Sequence, residues 1–356
     1  MPMDTITIRK PDDFHVHLRD GAMLEAVLPH TARVFARALV MPNLAPNPVT
    51  TTEALLAYRE RVLKAAQAYP TFTPLMSYYL TDASDGGEIT EGYKNGIAAA
   101  VKMYPAGATT NSAQGVTNVE KVYSVFEKMQ NVGIPLLLHG ETLVTKNGTP
   151  VDPYDREKIF LEETLVPLLS HFPALKVVLE HATTKDAVQF IQNDHSGRLA
   201  STVTVHHLVL TKDEATTAYE KCMPIIKSRE DREALRAAVT SGDLRFFLGT
   251  DSAPHTVLAK ESATPPAGVF TAPAALELYA QVFEEEGKLE HLEKFTSLNG
   301  ARFYGIEPNT ETVTLKKQPW TIENTVSVSN GDVIRPFGYH EKESKRLSIP
   351  WHITSR

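Results

Sequence analysis

The chain has one cysteine, Cys222, so no disulfide can close within it and its stability must come from packing. A single thiol also needs a positioned base before it can act as a nucleophile, and Cys222 reads as a buried or half-buried side chain. Long apolar runs are missing too. Nothing reaches the roughly 18 uninterrupted apolar residues of a membrane span, and the opening MPMDTITIRKPDD has no apolar core flanked by basic residues. The expectation is a cytoplasmic protein with no membrane partner. Positive charge is in deficit: 36 Lys and Arg stand against 43 Asp and Glu, a formal net charge of −7. With no basic stripe and no basic-aromatic patch, nucleic acid is not an expected partner. Repeats, linkers and low-complexity tracts are absent from the sequence.

What remains is a chain of 356 residues, 42% hydrophobic and 22% charged, enough apolar material for a large core. Eight short apolar or β-branched runs recur along it: 14–18, 37–41, 72–80, 98–103, 134–139, 175–181, 201–206 and 246–251. Helix-like stretches separate them, at 52–69, 118–131, 155–171, 184–193 and 229–240, some behind capping threonines such as Thr51/Thr52 and Thr183/Thr184. Strand runs apolar on both faces, alternating with helices, argue for parallel βαβ units. An open dinucleotide-binding sheet would carry a glycine-rich turn after its first strand, but RDGAML follows Leu18. The reading is α/β: a (β/α)₈ TIM barrel of about the usual size. Further helical patterns at 273–286 and 291–298 follow, then a polar, proline-spaced tail beyond Pro308 that reads as a packed extension. The whole, 1–356, is expected to be one domain.

Polar residues cluster at the ends of the apolar runs. His15 and His17 stand two apart on the first strand and so share a face, while Lys102, His139, His181 and Asp251 close four later runs. Carboxyl-terminal strand ends of such a barrel converge on one mouth. A single strand-end histidine is more often a hydrogen-bonded structural residue than a ligand, but four imidazoles and a carboxylate together suit a borderline metal such as zinc. Lys102 follows the apolar AAAV. Buried, its ammonium loses hydration and its pKa falls. The neutral amine could then act as a nucleophile, form a Schiff base, or take up carbon dioxide as a metal-bridging carbamate.

The string HVHLRD carries the H-x-H signature of the amidohydrolase superfamily. With VMPNLAPNPVTT, VKMYPAGATTNS, LLLHGE, LEHATTKDA and LGTDSAPH in this order, the sequence resembles the class II dihydroorotases from about Arg9 to Tyr304. The resemblance implies two Zn²⁺ per subunit. His15, His17 and Asp251 would bind one, His139 and His181 the other, and Lys102, as N6-carboxylysine, would bridge both together with a hydroxide. It further implies that Arg19, Asn43 and His255 hold a substrate carboxylate, which a guanidinium fork fits in bidentate fashion. Met223 and Ala267 would meet the pyrimidine edge, and Thr109 and Thr110 would reach over substrate from a mobile loop, 105–115. The implied reaction is reversible closure of N-carbamoyl-L-aspartate to L-dihydroorotate in pyrimidine biosynthesis, with Asp251 as general acid and base, in a homodimer. His206 and His207, in STVTVHH, are expected to be structural or supporting residues. Three rivals stand beside this reading: a hydantoinase- or allantoinase-like cyclic-amide hydrolase without the carboxylate clamp, a non-catalytic scaffold that should have lost its metal ligands, and a metal-free Schiff-base lyase using Lys102.

Overall fold

The computed structural model describes residues 4–340, 345–346 and 348–355. Eight parallel strands, Asp12–Val16, Arg37–Val40, Thr73–Leu80, Ala100–Met103, Leu136–His139, Val177–Glu180, Leu199–Val203 and Phe246–Leu248, pair in sequence order. The ring closes where Asp251 N donates to His15 O at 2.8 Å and His17 N donates to Ser252 O at 3.0 Å. The expected α/β barrel is therefore the observed one, with all eight strands in place.

Strand boundaries are shorter than the apolar runs suggest. The last strand stops at Leu248, and the one before it stops at Val203 and leads into a helical turn, Val205–Val209, that carries His206 and His207. His181 and Asp251 sit just beyond their strands with φ of 43° and 44°, and Arg19 has φ 60°. Non-glycine residues rarely adopt that left-handed region, and no strand can contain it. The chain turns abruptly where the candidate ligands stand.

Helices cover the barrel as the periodicity predicts, with ends set by local chemistry. Thr51 caps Thr52–Ala65, Thr184 caps Lys185–Asn193, and Ser228 with Asp231 forms a capping box on Arg229–Thr240. The stretch expected at 118–131 is a 3₁₀ turn, Val119–Val122, running into Tyr123–Val132 and ended by Gly133 at φ 78°. Besides the short Val205–Val209, Val257–Lys260 and Asn299–Tyr304, two longer helices were not anticipated, Gly21–Ala32 and Gly86–Lys94. The first contains Pro29 and the second opens on two glycines, and both features mask a helical period.

The tail beyond Pro308 forms strands. Thr312–Thr321 lies between Thr5–Arg9 and Ser348–Ser355 in an antiparallel sheet outside the barrel. Trp351 is fully buried there, and its Nε1 donates to Glu284 Oε2 at 2.9 Å on helix Ala275–Glu285. Inside the barrel, Phe14, Leu39, Met41, Ala100, Leu137, Val178, Ala200 and Phe247 form a dry floor, closed by Tyr304 stacked on Phe14 at 4.8 Å.

Candidate active site

Side chains alternate along a strand, so residues two apart share a face. Two positions above floor residues Ala100, Leu137 and Val178 stand Lys102, His139 and Glu180, all buried. The change from dry floor to polar layer thus takes one pleat.

His15, His17 and Asp251 come together at the mouth. His17 Nε2 is 3.0 Å and His15 Nε2 3.3 Å from Asp251 Oδ1, and the two Nε2 atoms are 3.4 Å apart. Ligands about 2.0–2.1 Å from one ion at near-tetrahedral angles stand roughly 3.3 Å from one another, so the spacing suits a shared cation. A second group is formed by His15, Glu180 and His181. Lys102 Nζ forms a close ion pair with Glu180 Oε2, and His15 Nδ1 lies 3.0 Å from Glu180 Oε1. The His139 ring is 4.9 Å from that of His181, and its Nε2 is 2.7 Å from Glu141 Oε2, which leaves Nδ1 for any ligand role.

The electrostatics describe a site built around positive charge. Burial holds His17 down at about 4 and His181 well below the imidazole range, leaving both neutral with a lone pair to give. Burial also acts against protonation of His15, but Glu180 and Asp251 outweigh it and lift this ring to about 9. Desolvation depresses Lys102 against the pull of Glu180. His17 Nδ1, His181 Nδ1, Glu141 Oε1 and the Tyr104 hydroxyl are buried without a hydrogen-bond partner among the described residues. Neutral imidazoles, paired carboxylates and unsatisfied buried atoms are what a metal cofactor would complete.

Of the residues expected to hold substrate, Arg19, Asn43, Thr109, Thr110, Met223 and Ala267 line the same cavity, while His255 does not reach it and stands behind Arg19. Arg19 Nε donates to Pro254 O at 3.1 Å, and its Nη2 lies 3.1 Å from His255 Nε2, which is itself 2.9 Å from Ala267 O. Asn43 Nδ2 donates to Thr110 O at 3.0 Å, Asn111 Nδ2 donates to Asn43 O at 3.1 Å, and Thr110 Oγ1 donates to Ala267 O at 3.0 Å. The 105–115 loop is thus folded over the mouth, with Thr109 and Met223 on the cavity wall. The enclosed space is about 20 Å³, room for a water or so. A substrate must displace these loop contacts to enter.

Three carboxylates received no role in the sequence reading although they lie inside or beside its motifs. Glu180 precedes His181, Glu141 follows His139 by two, and Asp13 precedes His15 by two. Asp13 accepts from His15 N at 3.1 Å, Thr250 N at 2.9 Å and Thr250 Oγ1 at 2.6 Å, so it ties the first strand to the turn that carries Asp251. Burial lifts Asp13 to about 7. An acidic residue inside an apolar run was the available signal for Glu180, and one within two residues of a strand-end histidine for Asp13 and Glu141. His206 and His207 stay out of the mouth and bond Thr204.

Comparison with known proteins gives concordant results. Residues 12–323 match the amidohydrolase family. A dihydroorotase of Vibrio campbellii is 51% identical over 355 residues, covering 99% of this chain and 100% of that protein. The structure of dihydroorotase from Saccharomyces cerevisiae in complex with 5-fluoroorotic acid superposes with a TM-score of 0.90 at 35% identity, covering 99% of each chain. The L-hydantoinase of Arthrobacter aurescens shares the fold alone, with a TM-score of 0.79 at 16% identity, 98% of this chain and 83% of that one.

Proposed function

Because the chain belongs to the amidohydrolase family and, within it, to the dihydroorotases, we propose that it interconverts N-carbamoyl-L-aspartate and L-dihydroorotate in pyrimidine biosynthesis. The observation that carries this reading is the placement of Arg19 and Asn43 on the cavity that also holds His15, His17 and Asp251, with His255 behind Arg19 at 3.1 Å from its Nη2. A carboxylate receptor beside a metal-binding group suits a cyclic amide bearing a carboxylate, and a hydantoin has no need of it. The 5-fluoroorotic acid held by the yeast relative is itself a pyrimidine carboxylate.

His15, His17 and Asp251 are assigned to one Zn²⁺, His139 and His181 to a second, and Lys102, carboxylated on Nζ, to the position between them. Zinc bound there supplies acidified water near neutral pH and polarises the scissile carbonyl. Asp251 Oδ1 faces the two histidines, which leaves Oδ2 to move the proton. In hydrolysis it takes a proton from the attacking water and returns it to the departing ring nitrogen; in closure it takes the proton from the ureido nitrogen as that atom attacks the side-chain carboxyl carbon and water leaves. Arg19 and Asn43 orient the substrate carboxylate, backbone groups of Met223 and Ala267 meet the pyrimidine edge, and Thr109 and Thr110 exclude water when the loop closes. Residues 1–356 are taken to act as one domain, supported by the pairing of Thr5–Arg9 with the tail strand Thr312–Thr321. The assembly is taken as a cytoplasmic homodimer, which sedimentation would check.

The test joins elemental analysis with hydrolysis assays on dihydroorotate and hydantoin, before and after chelation. About two zinc per chain and chelator-sensitive activity confined to dihydroorotate are expected. A metal-free active enzyme, or a preference for hydantoin, would overturn the assignment.

A further inference from the structure

Behind the wall of the mouth formed by Met223, three metal-competent side chains converge that the proposed chemistry does not use. His206 and His207 stand on the turn Val205–Val209 after the seventh barrel strand, and Cys222 lies next to Met223. All three are buried, and one ring nitrogen from each histidine lies with the thiol sulfur inside a sphere of contacts no wider than 4.8 Å. Cys222 Sγ is 3.8 Å from His207 Nε2. A thiolate at about 2.3 Å and an imidazole at about 2.0–2.1 Å from one tetrahedral zinc stand roughly 3.6 Å apart. This pair already has nearly the separation of two ligands.

Supporting contacts orient the same atoms. His207 Nε2 donates to Pro224 O at 3.1 Å while its Nδ1 lies 2.6 Å from Thr204 Oγ1, so a cation taking Nε2 would displace the Pro224 bond and move the ring proton to Nδ1, where Thr204 Oγ1 would accept it. Pro224 O also accepts from the Cys222 thiol at 3.2 Å, so loss of both protons to a cation would free this oxygen beside the two ligands as a fourth donor. His206 Nδ1 is buried with no hydrogen-bond partner among the described residues, a costly state for an imidazole nitrogen. Access exists as well: Cys222 lines a cavity of about 210 Å³ that is also bordered by the exposed Lys212 and Lys221.

We propose that His206, His207 and Cys222 form a separate mononuclear site for a borderline divalent cation of the zinc type. One sulfur and two imidazole nitrogens select zinc or cobalt(II) over magnesium or calcium, which prefer oxygen. Binding deprotonates the Cys222 thiol, whose proton passes to solvent, and forms one metal–sulfur and two metal–nitrogen bonds. The site lies one residue from Met223 yet shares no ligand with the mouth.

The experiment is a cobalt(II) titration of the full-length protein, stripped of metal, followed by absorption. The chain has one cysteine, so a thiolate-to-cobalt charge-transfer band can arise from Cys222 alone, however many ions the mouth accepts. The expected result is such a band saturating at one cobalt per chain, displaced by added zinc, and lost in Cys222→Ser while binding at the mouth persists. No thiolate band in the wild-type protein at saturating cobalt, or an undiminished band in Cys222→Ser, would overturn the site. The wild-type spectrum decides the matter even if the variant folds poorly.

Discussion

The floor and the mouth of this barrel are built from the same strands, one pleat apart, and they obey opposite rules. Ala100, Leu137 and Val178 belong to an apolar floor, while Lys102, His139 and Glu180 two positions later form a layer of titratable groups. The floor gains from burial and close packing. The mouth gains little by burial, since its charges are desolvated and several polar atoms lack partners. Stability and chemistry are thus kept in adjacent layers, and substitutions should separate them.

The largest separation is expected from Asp251→Asn, which removes the proposed proton carrier. Turnover should fall about 10²- to 10⁴-fold, while the unfolding midpoint in urea stays close to wild type; near-normal turnover would remove Asp251 from its role. Phe14→Ala is the mirror image. Phe14 stacks on Tyr304 at 4.8 Å and meets Phe247 edge-on at 5.3 Å, so its loss should cost about 3–5 kcal/mol in denaturant unfolding. Activity per folded molecule should be retained, and a comparable loss of turnover would mean that the two layers are coupled.

Arg19→Lys sharpens the distinction within the mouth. It keeps the charge but not the fork, and should raise KM for dihydroorotate by an amount equivalent to about 1.5–3 kcal/mol, with metal content unchanged. Glu141→Gln should act on the metal side instead. With the carboxylate beside His139 Nε2 gone, affinity for the more weakly held ion should drop about 10- to 100-fold in chelator competition. The smallest effect belongs to a position in neither layer. Thr51 accepts from Ala54 N at the start of Thr52–Ala65, and Thr51→Ala should cost about 1 kcal/mol of stability with no kinetic change.

The strands and most covering helices were legible because burial on both faces and amphipathic spacing are local properties of the chain. The six proposed metal ligands were named from polar residues at strand ends and the proposed carboxylate clamp from the family resemblance, and the structure brings His15, His17, His139, His181, Asp251, Arg19 and Asn43 to one cavity. Glu180, Glu141 and Asp13 were not given roles, although each stands within two residues of a histidine that was. A buried carboxylate reveals its use only through the partner it faces: Lys102 and His15 for Glu180, His139 for Glu141, and Thr250 for Asp13. For Glu180 and Asp13 those partners come from distant parts of the chain, as far as 237 residues away, whereas His139 stands two residues from Glu141.

The sequence by itself determined the alternation of strand and helix, the apolar floor, and the types of side chain available at the mouth. Periodicity and residue chemistry act over a few residues and need no fold to be read. Only the tertiary structure decided which carboxylate meets which histidine, that the 105–115 loop lies across the mouth, and that Cys222 stands 3.8 Å from His207 Nε2. Such contacts depend on barrel closure and on the left-handed turns at Arg19, His181 and Asp251, where packing of the whole ring overrides local backbone preference.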